Sequence, residues 1–558
     1  MSSTVALTGL LPFVVLVATF FAFPVCLLLL RLYRNSVTKG MAAFSGSAAA
    51  SPELETTKQP PSSRLQFERL DATATAGQER LSDPWYRLAT RGPWRASIVY
   101  ALAGLAYSIV MTIGWLAATQ DDAIVWIKLL ILSWAYFWPA MLTVSLVAAY
   151  DKIRRFQLFG LYFLVFAVLT AIAIARSPTI GIGSLPLYWL IMNGPPTVLL
   201  LTFLFRVIRA VGPLVLAFML LLAVGSQSIL SLAASNENVL RTISSIGFQL
   251  GLNASGVFSG MIIIGVAVFG LLGWPLLRFL GRRYEQKKFS DQSIMLDSLW
   301  LLFAVVQSIG LAFEGPLWIL TGLVALIAYK LVAIFGLAWT QASQRTNART
   351  LLLLRVFALA KRSEQLFDKL RTHWQYAGNV TMIAGPDLVT TTIEPNEFLE
   401  FVSGRLGRKF VRDANDLESR VRAIDTVRDP DGRYRISEFF CHNDTWQMTM
   451  ERLATTSDAI LMDLRSFSPA NQGCIFELGR LVDTIDLGRV VFLVDNTTDR
   501  GFLESTLTEL WQNMDSDSPN QSTASPSARL FEIDHQSERQ LKNLVAYLLD
   551  SRLRTTSN

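Results

Sequence analysis

The stretch SDAILMDLRSFSPANQGCIFELGRLVD, residues 457–483, decides how the last third of this chain folds. Its apolar run, 459–464, has the length and composition of a buried strand. A polar loop containing proline and glycine follows. A helix then opens and carries Glu477 about one turn in. In an open α/β sheet, ligands bind where loops leave the carboxyl ends of the strands. A carboxylate at that place is positioned to meet one.

The segments around this stretch repeat its grammar. Short apolar runs at 380–384, 409–411, 434–441, 489–494 and 530–533 alternate with helical patterns at 395–406, 445–455 and 538–549. Pro395 stands early in its helix, where the missing N–H costs nothing. Asp444 is placed to cap the next helix, and Asp429-Pro430-Asp431-Gly432 marks a turn. Strands alternating with helices predict a mostly parallel sheet with helices on both faces. The expected α/β domain covers 379–558, one domain's worth of chain. Leu354, Phe357, Leu366, Leu370 and Trp374 recur at helical spacing, so 341–378 is expected to be a connecting helix.

The rest of the chain has a different character. Of 558 residues, 51% are hydrophobic and 17% charged, and the mean hydropathy is +0.37. That balance fits a membrane protein with a soluble part. Nine segments of about 20 apolar residues are long enough to span a bilayer: 5–32, 96–118, 123–150, 156–175, 186–205, 213–234, 257–277, 294–313 and 316–339. The first lacks a basic start and is followed by Arg31, Arg34 and Lys39, so it reads as a retained anchor over 1–34. Eight further spans fill 96–340. Every second loop is basic: Lys152, Arg154 and Arg155, then Arg206 and Arg209, then Arg278, Arg282, Arg283, Lys287 and Lys288. The positive-inside bias therefore predicts a cytoplasmic α/β domain in a cell membrane, of the bacterial inner-membrane type. Residues 35–95 become a cytoplasmic, partly disordered loop rich in Ser, Ala, Thr and Pro. An amphipathic piece near Trp85, Tyr86 and Trp94 is expected at the membrane surface.

Lys128, Asp297 and Lys330 are the charges inside the spans. The plain reading of Lys128 and Asp297 is snorkelling at span ends; Lys330 is a functional suspect. The net charge of +6 is accounted for by membrane-flanking Lys and Arg, so nucleic acid is not an expected partner. Cys26, Cys441 and Cys474 have no disulfide or metal spacing, and no metal is expected. No Walker A sequence occurs, which disfavours an ordinary P-loop NTPase.

The stretch SDAILMDLRSFSPANQGCIFEL resembles the strand, loop and helix of TIR domains. There, a strand ending near a serine leads into a Trp-Cys-x-x-Glu-Leu helix. Cys474, Glu477 and Leu478 agree, and Gly473 stands where the family has tryptophan. The likeness extends over about 380–511, with its specific part around Glu477. GCIFELG, 473–479, is also similar to the Gly-x-x-x-Glu-Leu-Gly pattern of nucleoside deoxyribosyltransferases. Both families act on N-glycosidic bonds. The TIR resemblance implies a flavodoxin-like layout and gives Glu477 the role of cleaving the nicotinamide–ribose bond of NAD, a substrate rather than a cofactor. Asp387, Asp463, Ser468 and Cys474 are the candidate substrate contacts. Each has a plainer reading. A glutamate in a helix's first turn is favoured by the dipole alone. Asp463 can bond the loop backbone, Asp387 can be a turn residue, and Cys474 can be packing.

Three functions remain open at this stage. One is a membrane effector or sensor whose TIR-like domain hydrolyses or binds NAD or a related nucleotide. A second is a non-catalytic signalling module that associates with itself or with partners. The third is a transporter or channel with a regulatory nucleotide-binding domain. The lipid bilayer is a partner in all three.

Overall fold

The computed structural model describes residues 3–43, 58, 60–61, 63–71, 83–119, 126–148, 152–176, 183–203, 211–341, 348–355, 360–385, 395–534 and 537–550. The chain forms two compact units. One comprises Met1–Tyr33, Ala96–Thr340 and Ile393–Val402; the other comprises Arg34–Arg95, Gln341–Thr392 and Ser403–Asn558.

The first unit is helical. The helices that make it up are α1 (Ser3–Ala42) and α2 (Pro84–Ala118), whose residues 34–42 and 84–95 belong to the second unit, then α3 (Trp126–Tyr136), α4 (Trp138–Val147), α5 (Lys152–Arg176), α6 (Ser184–Phe203), α7 (Gly212–Ser235), α8 (Glu237–Gln249), α9 (Ala254–Glu285), α10 (Asp291–Ile309) and α11 (Leu320–Gln341). Among the described residues, seven stretches are long and apolar enough to cross a membrane: Val17–Ala42, Pro84–Ala118, Trp126–Val147, Ile153–Arg176, Ala254–Glu285, Asp291–Ile309 and Leu317–Gln341. Seven of the nine expected spans meet that length and hydropathy among the described residues. The other two segments are helices, α6 and α7. α6 is diluted by Asn193, Gly194, Pro195 and Pro196, and α7 offers only the shorter apolar piece Leu214–Gln227.

Side-chain hydrogen bonds tie these helices together. Tyr107 of α2 donates to Gln307 Oε1 of α10 at 2.8 Å, and Gln307 Nε2 donates to Asn193 Oδ1 of α6 at 2.9 Å. Asn193 Nδ2 reaches the Ala135 carbonyl at 3.1 Å. Trp300 lies between Tyr107 and Tyr329, at ring distances of 4.8 and 4.4 Å. Asp297 of α10 and Lys330 of α11 form an ion pair. Asp297 is therefore held by a neighbouring helix, and the pair balances the two charges.

The second unit is built on eight parallel strands: β1 (Gln66–Leu70), β2 (Arg349–Arg355), β3 (Gly378–Ile383), β4 (Phe410–Val411), β5 (Ile436–Cys441), β6 (Ala459–Asp463), β7 (Val490–Val494) and β8 (Ser527–Glu532). Their order is β1-β8-β7-β6-β2-β3-β5-β4. The helices are α12 (Ala360–Trp374), α13 (Pro395–Val402), α14 (Ala414–Arg422), α15 (Trp446–Thr456), α16 (Gln472–Thr484), α17 (Arg500–Gln512) and α18 (Glu538–Leu548). α13 clusters with the first unit, where Tyr33 meets Phe401 edge-on at 5.4 Å and bonds Glu397.

The sheet is covered on both faces, which is why its strands read as unbroken apolar runs. Ile460 and Met462 join one core with Met450 and Leu453 of α15, Leu478 and Leu481 of α16, and Leu507 of α17. Ala459 and Leu461 join the other, with Leu366 and Leu370 of α12 and Leu544 of α18.

Two sequence expectations change here. The connecting helix over 341–378 begins instead as β2, a central strand, with α12 following it. Leu351, Leu352, Leu353 and Leu354 carry no alternation because both faces are buried, and leucine favours helices intrinsically. Part of the 35–95 segment, expected as a loop, forms β1 on the β8 edge, with Gln66 opposite Ser527. Trp511 Nε1 donates to the Ser63 carbonyl at 2.9 Å and holds its approach. Tyr86 is buried in the α/β core, and Trp85 lies 4.3 Å from the Arg349 guanidinium. These two rings belong to the α/β core, whereas Trp94 is exposed.

Candidate functional site

β3, β2, β6, β7 and β8 reproduce the flavodoxin-like order 2-1-3-4-5, with extra strands on both sides. Successive connections leave β2 in opposite directions, so the switch point lies between the carboxyl ends of β2 and β6. β2 ends at Arg355 and β6 at Asp463, which face each other in register. α16 follows β6 directly and brings Cys474 and Glu477 to this edge.

The loop between β6 and α16 is held from within. Ser466 has φ +58°, a left-handed backbone that costs a serine roughly 1 kcal/mol. Its N–H and hydroxyl both reach Thr497 Oγ1, at 3.1 and 2.9 Å, and Thr497 in turn donates to Asp495. Asn471 Oδ1 accepts from the Ser468 N–H at 2.9 Å and from its hydroxyl at 3.1 Å. Phe467 is buried and stacks on Phe502.

The ends of β2 and β6 and the start of α16 carry a set of buried charges. Arg465 grips Asp463 with two hydrogen bonds, Nε to Oδ1 at 2.8 Å and Nη2 to Oδ2 at 2.6 Å. Both side chains are inaccessible to water. Arg355 is buried as well, and its carbonyl accepts from Cys474 Sγ at 3.7 Å. Glu477 is 2% exposed, and its Oε2 has no hydrogen-bond partner among the described residues. Burial pushes the Glu477 carboxyl up to about 8, against the pull of Arg355. Burial also raises the Cys474 thiol, and the carboxyls of Glu477 and Asp463 raise it further. Cys474 is thus a thiol at neutral pH, not a thiolate nucleophile.

The structure brings Asp463, Cys474 and Glu477 together. Ser468 stands in the adjoining loop and is engaged with Asn471. Asp387 lies outside the described residues. His442 stacks on Phe410 and bonds the Gly40 carbonyl, a packing role. The N-cap position of α15 is Thr445 rather than Asp444. Arg355 and Arg465 were not singled out in the sequence. Arg465 had a signal, as the cation two residues after the strand-ending aspartate. Arg355 had none, because its strand was read as helix.

Among the described residues, no group of three or more His, Cys, Asp or Glu side chains converges as metal ligands would. A small hollow, with room for about one water molecule, lies between α12 and the sheet and is lined by Leu351, Phe367, Trp374 and Met382. Those residues belong to the opposite face from α16, and the hollow offers no chemistry to Glu477. No family model, no curated protein and no solved structure matches this chain.

Proposed function

We propose that the chain is a multi-pass membrane protein whose α/β unit binds NAD or a related ribosyl nucleotide at the β2–β6 switch point. Glu477 is the residue that meets the reacting ribose. The observation that carries this reading is a buried carboxyl, unbonded at Oε2, where parallel sheets receive ligands. Such a group is costly to keep and marks a site better than it explains a fold.

Hydrolysis breaks the bond between C1′ and the nicotinamide nitrogen. The electron pair leaves with nicotinamide, water adds to C1′, and a proton is released. The sugar passes through an oxocarbenium-like state, which an ionised carboxylate stabilises. In the closed protein Glu477 holds its proton at neutral pH. A positively charged ribosyl-nicotinamide beside it favours ionisation, so the ligand itself arms the carboxylate. Entry requires a local opening of the protein, since Glu477 is buried. The basic loops support a cytoplasmic position for the α/β unit, with an odd number of spans.

The burial of Glu477 also supports a second reading, a non-catalytic module that reports a membrane event through self-association or a partner. Incubation of the full chain in lipid vesicles with NAD, following nicotinamide release, separates the two. Sustained release supports the enzyme; none at any protein density leaves the module.

A further inference from the structure

α8 is unlike the helices on either side of it. Its 13 residues, ENVLRTISSIGFQ, span about 20 Å, too short to cross a bilayer core of about 30 Å. Val239, Leu240, Ile243, Ile246, Gly247 and Leu250 recur at helical spacing and form one stripe. Glu237, Asn238, Arg241, Thr242, Ser245 and Gln249 occupy the other face, interrupted by Phe248, which is also exposed. Four residues of the stripe are not covered by protein: Val239, Leu240, Ile246 and Leu250 are exposed by 42, 37, 52 and 74%, while Ile243 is half-buried.

The helix is nevertheless well built. Asn236 caps its start by accepting from the N–H groups of Asn238 and Val239. Arg241 pairs with Glu237 at 2.7 Å on the polar face. Gly247 is buried, and a Cβ there would stand 2.4 Å from Val257 Cγ2 of α9. That contact fixes the turn from α8 into α9. The exposed stripe is continuous in sequence with the outward apolar residues of α9, among them Phe258, Ile263, Ile264 and Leu271. In a membrane span, those residues face lipid.

From this we infer that α8 lies in the membrane–water interface, with its Val239–Leu240–Ile246–Leu250 stripe seated among the lipid headgroups and upper acyl chains. The occupant of the stripe is the bilayer, and the inference rests on the membrane reading of α9. One arginine balanced by one glutamate gives the helix no net charge, so apolar contact holds it, without a preference for anionic lipid.

The test uses the full chain in phosphatidylcholine vesicles, with single cysteines placed by Ile246→Cys, Leu250→Cys, Asn238→Cys and Thr242→Cys. The three native thiols are buried. Each cysteine carries an environment-sensitive fluorophore, and nitroxide lipids quench it from shallow or deep positions. Ile264→Cys on α9 is the reference for a lipid-facing span. The inference expects quenching at 246 and 250 at least twice that at 238 and 242, stronger from the shallow nitroxide than from the deep one. It is overturned if 246 and 250 are as wet as 238 and 242, or are shielded from water without lipid quenching, as under a protein partner or a second copy. Absence of quenching at 264 as well overturns the membrane reading itself. Quenching at 264 alone overturns only the interfacial helix.

Discussion

Replacing Glu477 by glutamine removes a buried carboxyl while keeping its size, and the consequence is a change in how stability depends on pH. An ordinary glutamate ionises near 4.5, whereas Glu477 in the folded chain keeps its proton up to about 8. Between those values the folded state binds a proton that the unfolded state has lost. Folding is therefore disfavoured progressively as pH rises through that window, by about 1.4 kcal/mol per pH unit. The wild type loses on the order of 3 kcal/mol from this group between pH 4.5 and 7, and on the order of 4 kcal/mol by pH 8. Above pH 8 both states are ionised and the loss stops. The glutamine variant has no such slope, and every other titrating group is common to both proteins. Paired thermal melts of the full chain in detergent, at pH 5 and pH 8, read the difference. A kcal/mol moves the melting point of a unit this size by about 2–4 °C, so the gap should shift in favour of Glu477→Gln by on the order of 10 °C. A gap that stays constant would show that Glu477 is ionised when folded, and would refute the argument that an uncharged acid is stored at the switch point.

Other substitutions probe the same cluster and the first unit. Arg355→Met removes the one charge that opposes protonation of Glu477, so the upper end of the pH window should move above 8 in the same melts. Asp463→Asn leaves the buried Arg465 cation without its carboxylate and should cost about 3–5 kcal/mol in denaturant unfolding, with Arg465→Met restoring part of the loss. Lys330→Met leaves Asp297 alone among apolar helices; thermal stability in detergent should fall, and Lys330→Met with Asp297→Asn should recover most of it.

The alternation of strands and helices after residue 378 was legible, because each strand is a compact apolar run bounded by turn residues. β6, the Glu477 helix, β5, β7 and β8 all fall where the runs stand. β2 was not legible. A strand buried on both faces has no period, and four leucines fit a helix equally well until the sheet supplies neighbours on both sides. β1 was hidden for a related reason. QFERL alternates only weakly, and it is a strand because the β8 edge offers it hydrogen-bond partners. The site was half visible. Asp463, Cys474 and Glu477 lie close in sequence around a single strand–loop–helix, so local reasoning brings them together. Arg355 comes from more than a hundred residues earlier, and only strand pairing reveals it. In the first unit, hydropathy identifies the helices long and apolar enough to cross a membrane but is blind to α8, whose average is near neutral.

The central claim is that Glu477 serves chemistry at the switch point. The measurement that tests it most directly is the rate of nicotinamide release from NAD by the full chain assembled in vesicles, wild type against Glu477→Gln. If the carboxylate stabilises the ribosyl cation, the variant should turn over slower by on the order of a hundredfold or more, while still binding NAD. Equal rates from the two proteins would contradict the claim and leave Glu477 a residue of the fold.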